Sequence, residues 1–152
     1  MSKALVLLQA RACQTSFEVH ALLRAGFPGG AYGRYRTLHE LAVIAALMSQ
    51  YGRQPRHADL ADRYLDHTHI DQYRQAEHRR RSGRELGWPP LPAGTIKKLK
   101  KEYDRLISRY GRDYWDDYGW AAGLIQSPLT FAKLEAKADM SYLRYRTPPE
   151  AT

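Results

Sequence analysis

The 152-residue chain is predicted to be all-α, a single antiparallel helical bundle of about five helices. Three observations lead there. Apolar residues recur every three or four positions through several long segments, which places them on one face of a helix. Clusters of Gly and Pro punctuate those segments. No stretch of useful length alternates with the period of two that a half-buried strand requires.

The elements follow in order. The first helix is expected over residues 3–25 with Ser2 as N-cap, since Leu5, Leu8, Ala12, Thr15, Val19, Leu22 and Leu23 form an amphipathic stripe. Gly26-Phe27-Pro28-Gly29-Gly30 stops it, because Gly supplies positive φ and Pro cannot continue a helix. The second helix, residues 31–51, must run antiparallel after so short a link, and Gly52 closes it. A long polar third helix is expected over 56–82, with Leu60, Tyr64, His67, Ile70 or Asp71, and Arg74 inward. Trp88-Pro89-Pro90-Leu91-Pro92 is an extended loop, and Thr95 caps a fourth helix over 96–110. That helix turns Ile96, Leu99, Tyr103, Leu106 and Ile107 to the core. Residues 111–123, dense in aromatics and glycine, read as an ordered loop packed on the bundle. A last helix spans 131–145 and ends before Pro148. Residues 1–147 are expected to form one domain, with 148–152 as a tail.

Composition narrows the function classes. No run of about 18 apolar residues exists, so a membrane span is not expected. The short apolar start lacks the core and cleavage site of a secretory signal, which points to a cytoplasmic home. Cys13 is the only cysteine, excluding an intrachain disulfide, and its place in an apolar helix suggests an inert buried thiol. The net charge of +8 is confined to residues 72–112, which hold 12 Lys and Arg against 4 acids, while the remainder is balanced at 12 and 12. Localised positive charge attracts a polyanion such as nucleic acid, anionic headgroups or an acidic protein; the alternative is a solvated face. The charge rests on Arg79, Arg80, Arg81, Lys97, Lys98, Lys100, Lys101 and Arg105, with Tyr73, Trp88, Tyr103 and Tyr110 as aromatic neighbours. Apolar residues on more than one side of the first two helices (Val6 and Leu7; Val43, Ile44 and Leu47) lead us to expect a homodimer.

The densest constellation lies on the second helix. Arg36 falls three and four residues before His39 and Glu40, so the three share a side that continues through Val43 and Leu47. Ionisable groups on a buried stripe must be paired, so the trio is either a structural lock, with Arg36 on Glu40 or on another helix's acid, or a site. Asp66, His67 and His69, with Glu40 and Glu18, could supply metal ligands, but a second acid-x-x-His pair is missing and no cofactor is expected. Nothing supports nucleophilic catalysis or a phosphate-binding glycine loop.

Five segments carry a family resemblance. They are Leu22-Leu23-Arg24-Ala25-Gly26, Arg36-Thr37-Leu38-His39-Glu40, Arg63-Tyr64-Leu65-Asp66-His67, Asp117-Tyr118-Gly119-Trp120-Ala121, and Thr130-Phe131. In order and spacing they resemble a largely bacterial helical family catalogued as domain of unknown function 5677. The resemblance implies a helical bundle with a polar cluster and no established activity. It also implies a further C-terminal helix with Ser and His, against which this chain looks short. Separately, Arg34 to His39 and Arg63 to His69 are similar to the loose Arg-to-His signature of higher-eukaryote-and-prokaryote nucleotide-binding (HEPN) ribonucleases. That resemblance implies metal-independent RNA cleavage, with Arg36 or Arg34 and His39, or Arg63 and His69, stabilising a phosphate and moving a proton.

Overall fold

The computed structural model describes residues 2–83 and 85–138. Its described residues form five α-helices: α1 (Ser2–Arg24), α2 (Pro28–Tyr51), α3 (Leu60–Ser82), α4 (Thr95–Tyr110) and α5 (Phe131–Lys137). Three 3₁₀ turns join them, Pro55–His57, Arg112–Trp115 and Gly119–Ala121. Among the described residues there is no strand, only an isolated bridge between Ala122 and Ile125. The all-α expectation holds. The expected last helix beyond residue 138 and the tail at 148–152 lie outside the described residues.

The chain divides into two compact units, Met1–Ala58 with Phe131–Thr152, and Asp59–Thr130. The first is built on an α1–α2 hairpin. Its link is tighter than the glycine content suggests. Gly26, at φ 79°, donates to the Leu23 carbonyl and Phe27 to that of Leu22, the paired bonds that end a helix with a left-handed residue. Pro28 then opens α2 at once, because its missing N–H is an orphan in a first turn anyway. Gly29 and Gly30 are therefore helical rather than part of the turn, and Gly30 lets Leu22 approach. Ala4, Leu8 and Thr15 of α1 are buried, as are Leu41, Val43, Ile44, Ala46, Leu47 and Met48 of α2. Gln50 donates to the Ala138 carbonyl at 2.6 Å, tying the end of α2 to the residue after α5.

Two expectations fail in this unit. Cys13 is exposed rather than buried, because it lies on the side of α1 opposite the packed residues. Val43, Ile44 and Leu47 are enclosed within the chain and are not free to meet a partner, whereas Val6 and Leu7 remain exposed.

The second unit packs α3 on α4 and on the aromatic turns that follow. The 3₁₀ turn at Pro55–His57 takes the place of an expected first turn of α3, which begins at Leu60. Gly94, left-handed at φ 79°, precedes α4, and no side chain caps it, so Thr95 is not the cap expected. The core holds Leu60, Ala61, Ile70 and Ala76 of α3, Leu106 of α4, and Tyr114, Trp120, Ala121 and Leu124 beyond. Tyr73 stacks on Tyr103 at 4.8 Å, and Tyr103 meets Trp115 edge-on at 5.3 Å.

Candidate functional site

Helical spacing sets Arg63, His67, Asp71 and Arg74 along one side of α3, and that side receives the 112–121 turns. Arg63 Nε donates to the Trp120 carbonyl at 3.0 Å and Nη2 to that of Gly119 at 3.3 Å. Its guanidinium also lies over the Tyr110 ring, 5.2 Å from the centroid. His67 is buried, with Nε2 2.9 Å from the Asp116 carbonyl and its ring edge-on to Tyr114. A carbonyl only accepts, so Nε2 carries the proton. Burial holds the His67 pKa below the usual imidazole value; the Asp116 carbonyl and the Asp71 charge oppose the shift without reversing it. Arg74 reaches Asp117 at 2.7 Å and covers Trp115.

Two tyrosines close the cluster. Tyr110 donates to Asp66 at 3.2 Å and Tyr114 to the Arg63 carbonyl at 2.5 Å. Burial raises the pKa of both phenols, which keeps them protonated donors. Each polar group of this constellation has a partner in the chain. The arrangement clamps the turns to α3, and a substrate phosphate would have to displace two carbonyls from Arg63. His69 is turned away, bonded through Nδ1 to Gln72 at 3.2 Å.

The helix-two trio belongs to the other unit and is arranged differently from the expected lock. Arg36 is exposed, and neither it nor Glu40 forms a hydrogen bond or ion pair with another described residue. The expected Arg36–Glu40 pair is absent. His39 instead meets Glu135 of α5, Nε2 to Oε1 at 2.7 Å, with Phe131 edge-on at 5.8 Å. Arg34 pairs with Glu18 of α1 at 3.2 Å. Among the described residues, no group of three or more His, Cys, Asp and Glu side chains could hold a metal ion.

The basic segment separates into paired and unpaired cations. Arg79 donates to the Pro89 carbonyl at 2.7 and 3.1 Å. Arg80 and Arg81 share Glu77, and the Arg80 hydrogen bond holds that carboxyl below its usual range. Lys100 pairs with Asp104 at 2.8 Å, and Arg105 Nε lies 3.0 and 3.1 Å from the two oxygens of Glu102. Lys97, Lys98 and Lys101 are exposed and have no acidic partner among the described residues. These three point away from the core-facing stripe of α4. Beside the first turn of that helix is a pocket of ≈ 430 Å³, lined by Arg79, Arg80, Trp88, Pro89, Pro90 and Ile96 among others. A second pocket of ≈ 420 Å³ shares Arg79, Trp88 and Pro89 and adds Gln75 and His78. Trp88, 44 % exposed, thus stands between two concave surfaces edged by cations.

Comparison with known families places the chain. The model of a family of unknown function, DUF5677, matches residues 2–147. The chain belongs to the DUF5677 family. No curated protein and no solved structure matches it. Two of the DUF5677 segments picked out in the sequence, around Arg63 and Asp117, are the two halves of the α3 clamp, so a structural bond joins them. The clamp partners of Arg74, Tyr110, Tyr114 and Asp116 escape a reading of the sequence, because they lie more than 40 residues away along the chain.

Proposed function

We propose that this DUF5677 protein binds nucleic acid or a similar polyanion through the outward face of α4, with Trp88 offering a surface for base stacking. The observation that carries the reading is the set Lys97, Lys98 and Lys101, three exposed ammonium groups without an acidic partner among the described residues, on a helix whose other charges are largely paired. Lysines in a first turn oppose the helix dipole, and α4 has no acid there to offset them. An anion at that end would be favoured by the dipole and the lysines together. The adjoining pocket combines the aromatic face of Trp88 with the cations Arg79 and Arg80, the kind of pairing by which single strands are held.

The test is anisotropy titration of labelled single-stranded and duplex oligonucleotides at several salt concentrations. Affinity is expected to fall steeply with salt, as bound counterions are released. Replacing Lys97, Lys98 and Lys101 with Gln should weaken binding to all sequences alike. It should also flatten the log–log salt slope by about 2, since each single-strand phosphate that a lysine neutralises contributes roughly 0.7. Absent binding at low salt, or binding indifferent to the triple substitution, rejects the reading.

A ribonuclease reading rests on a separate observation: Arg36, which has no ion-pair partner among the described residues, stands one turn before His39, whose ring is oriented by Glu135. RNA incubated with the chain in chelator should then be cut, and His39→Ala should abolish cleavage. No cleavage, or equal cleavage by the variant, removes it.

A further inference from the structure

We propose that the outward side of α1 is a self-association seam that docks antiparallel on the same seam of a second copy. The inward side of the helix faces α2 through Ala4, Leu8 and Thr15. Opposite it, at the alternating three- and four-residue spacing of a coiled-coil seam, stand Lys3, Val6, Ala10, Cys13, Phe17, His20 and Arg24, all exposed. Val6 is 65 % exposed, Leu7 beside it 50 %, and Phe17 75 %. Between Lys3 and Arg24 this half of the helix has no Asp, Glu, Lys or Arg, although 26 % of the chain is charged. Arg11 and Glu18 lie toward the α2 side, where Glu18 pairs with Arg34. A solvated surface helix carries its charges outward; this one turns its uncharged side out.

The absence of charge bears on the occupant. A charged partner surface would lose its hydration here and find no counter-charge, so the partner must be apolar and uncharged. Between its ends at Lys3 and Arg24 the seam itself, which has no Asp, Glu, Lys or Arg, offers such a surface, and an isologous pair needs only one. Side-chain sizes favour one orientation. With two copies antiparallel about Cys13 and Gln14, Phe17 falls opposite Ala10 and Val6 opposite Ala21, so large meets small in these two layers. A parallel pair sets Phe17 on Phe17 and leaves a void between two Ala10.

The size of the interface also fits. Twenty-one residue steps at 1.5 Å give a seam roughly 32 Å long. A helix pair of that length buries on the order of 600–800 Å² per partner, the lower edge of a specific interface. A groove of ≈ 780 Å³ runs alongside, lined by Leu5, Leu8 and Ala12 of α1 and Leu38, Leu41 and Ala42 of α2, and adds apolar surface. At each end Lys3 meets the partner's Arg24, a like-charge approach that salt screens. Association should therefore tighten as salt rises.

Sedimentation equilibrium on the full chain tests the proposal. A monomer–dimer equilibrium in the micromolar range is expected, and Phe17→Glu should raise its Kd at least tenfold with an unchanged circular-dichroism spectrum. Mild oxidation should couple Cys13 to Cys13 across the two-fold axis, and Phe17→Glu should suppress that product. A Cys13→Ala chain carrying Ala21→Cys should not cross-link, whereas a parallel pair would. Four outcomes overturn the proposal: a monomer at all concentrations, a dimer insensitive to Phe17→Glu, a cross-link at position 21, or a monomer that sediments with lipid vesicles through Phe17.

Discussion

His67 shows how a side chain that looks chemical in the sequence becomes structural in the fold. Its ring is enclosed among Tyr114, the Asp116 carbonyl, Asp71 and Arg74, and burial holds its pKa low. The unfolded chain takes up a proton near pH 6.5, where the folded chain does not. Stability is thus full above that pH and falls as pH drops toward the folded pKa. Urea midpoints measured from pH 7.5 to 5 should decline, and His67→Gln should flatten the decline; an unchanged slope would contradict the assignment. Tyr114→Phe removes the bond to the Arg63 carbonyl and should cost about 1 kcal/mol by the same measurement. Gly119 has no room for a methyl group, since a Cβ there would stand 2.5 Å from the Tyr114 carbonyl oxygen and 2.6 Å from that of Asp113. Backbone atoms cannot step aside, so Gly119→Ala should destabilise by about 1–3 kcal/mol.

At the scale of elements, α1 and α4 are both amphipathic, but they present opposite outer faces. α4 turns lysines outward, and α1 turns Val6, Cys13 and Phe17 outward. The lysines in the first turn of α4 oppose its dipole, and under the proposed function they would attract an anion to that end. Lys97→Glu should therefore raise the thermal midpoint slightly while weakening oligonucleotide binding; a loss of both would show that Lys97 packs rather than binds. The inner stripe of α4 is legible because its apolar residues repeat every three or four positions on one side only. The exposure of Cys13 is not legible, because both sides of α1 are apolar and periodicity alone does not say which one packs. The ends of the helices are legible where Gly and Pro act locally, as at Gly26 and Pro28, and not where a 3₁₀ turn replaces helix before Leu60.

Across the whole molecule the excess charge lies within residues 72–112, and the uncharged seam lies on α1. The two proposed associations therefore respond to salt with opposite sign. Raising salt should release the oligonucleotide and strengthen the dimer, because one surface attracts through charge and the other repels through it at its ends. Measuring both on one preparation checks this, and a common direction would mean that a single surface serves both. No helix among the described residues is long and apolar enough to cross a membrane.

The sequence by itself determined the all-α class, the approximate places of the four longer helices, the location of the charge, and the family. Each of these depends on local order along the chain: periodicity, glycine and proline, and short motifs at fixed spacing. Only the tertiary structure decided what the polar residues do. Whether Arg63 holds a phosphate or two carbonyls depends on the Gly119–Ala121 turn, more than 50 residues away in sequence. Whether His39 answers to Arg36 or to an acid on another helix depends on where α5 brings Glu135. A paired cation and an available one look alike in a sequence. The distance to the nearest carboxylate separates them, and packing sets that distance.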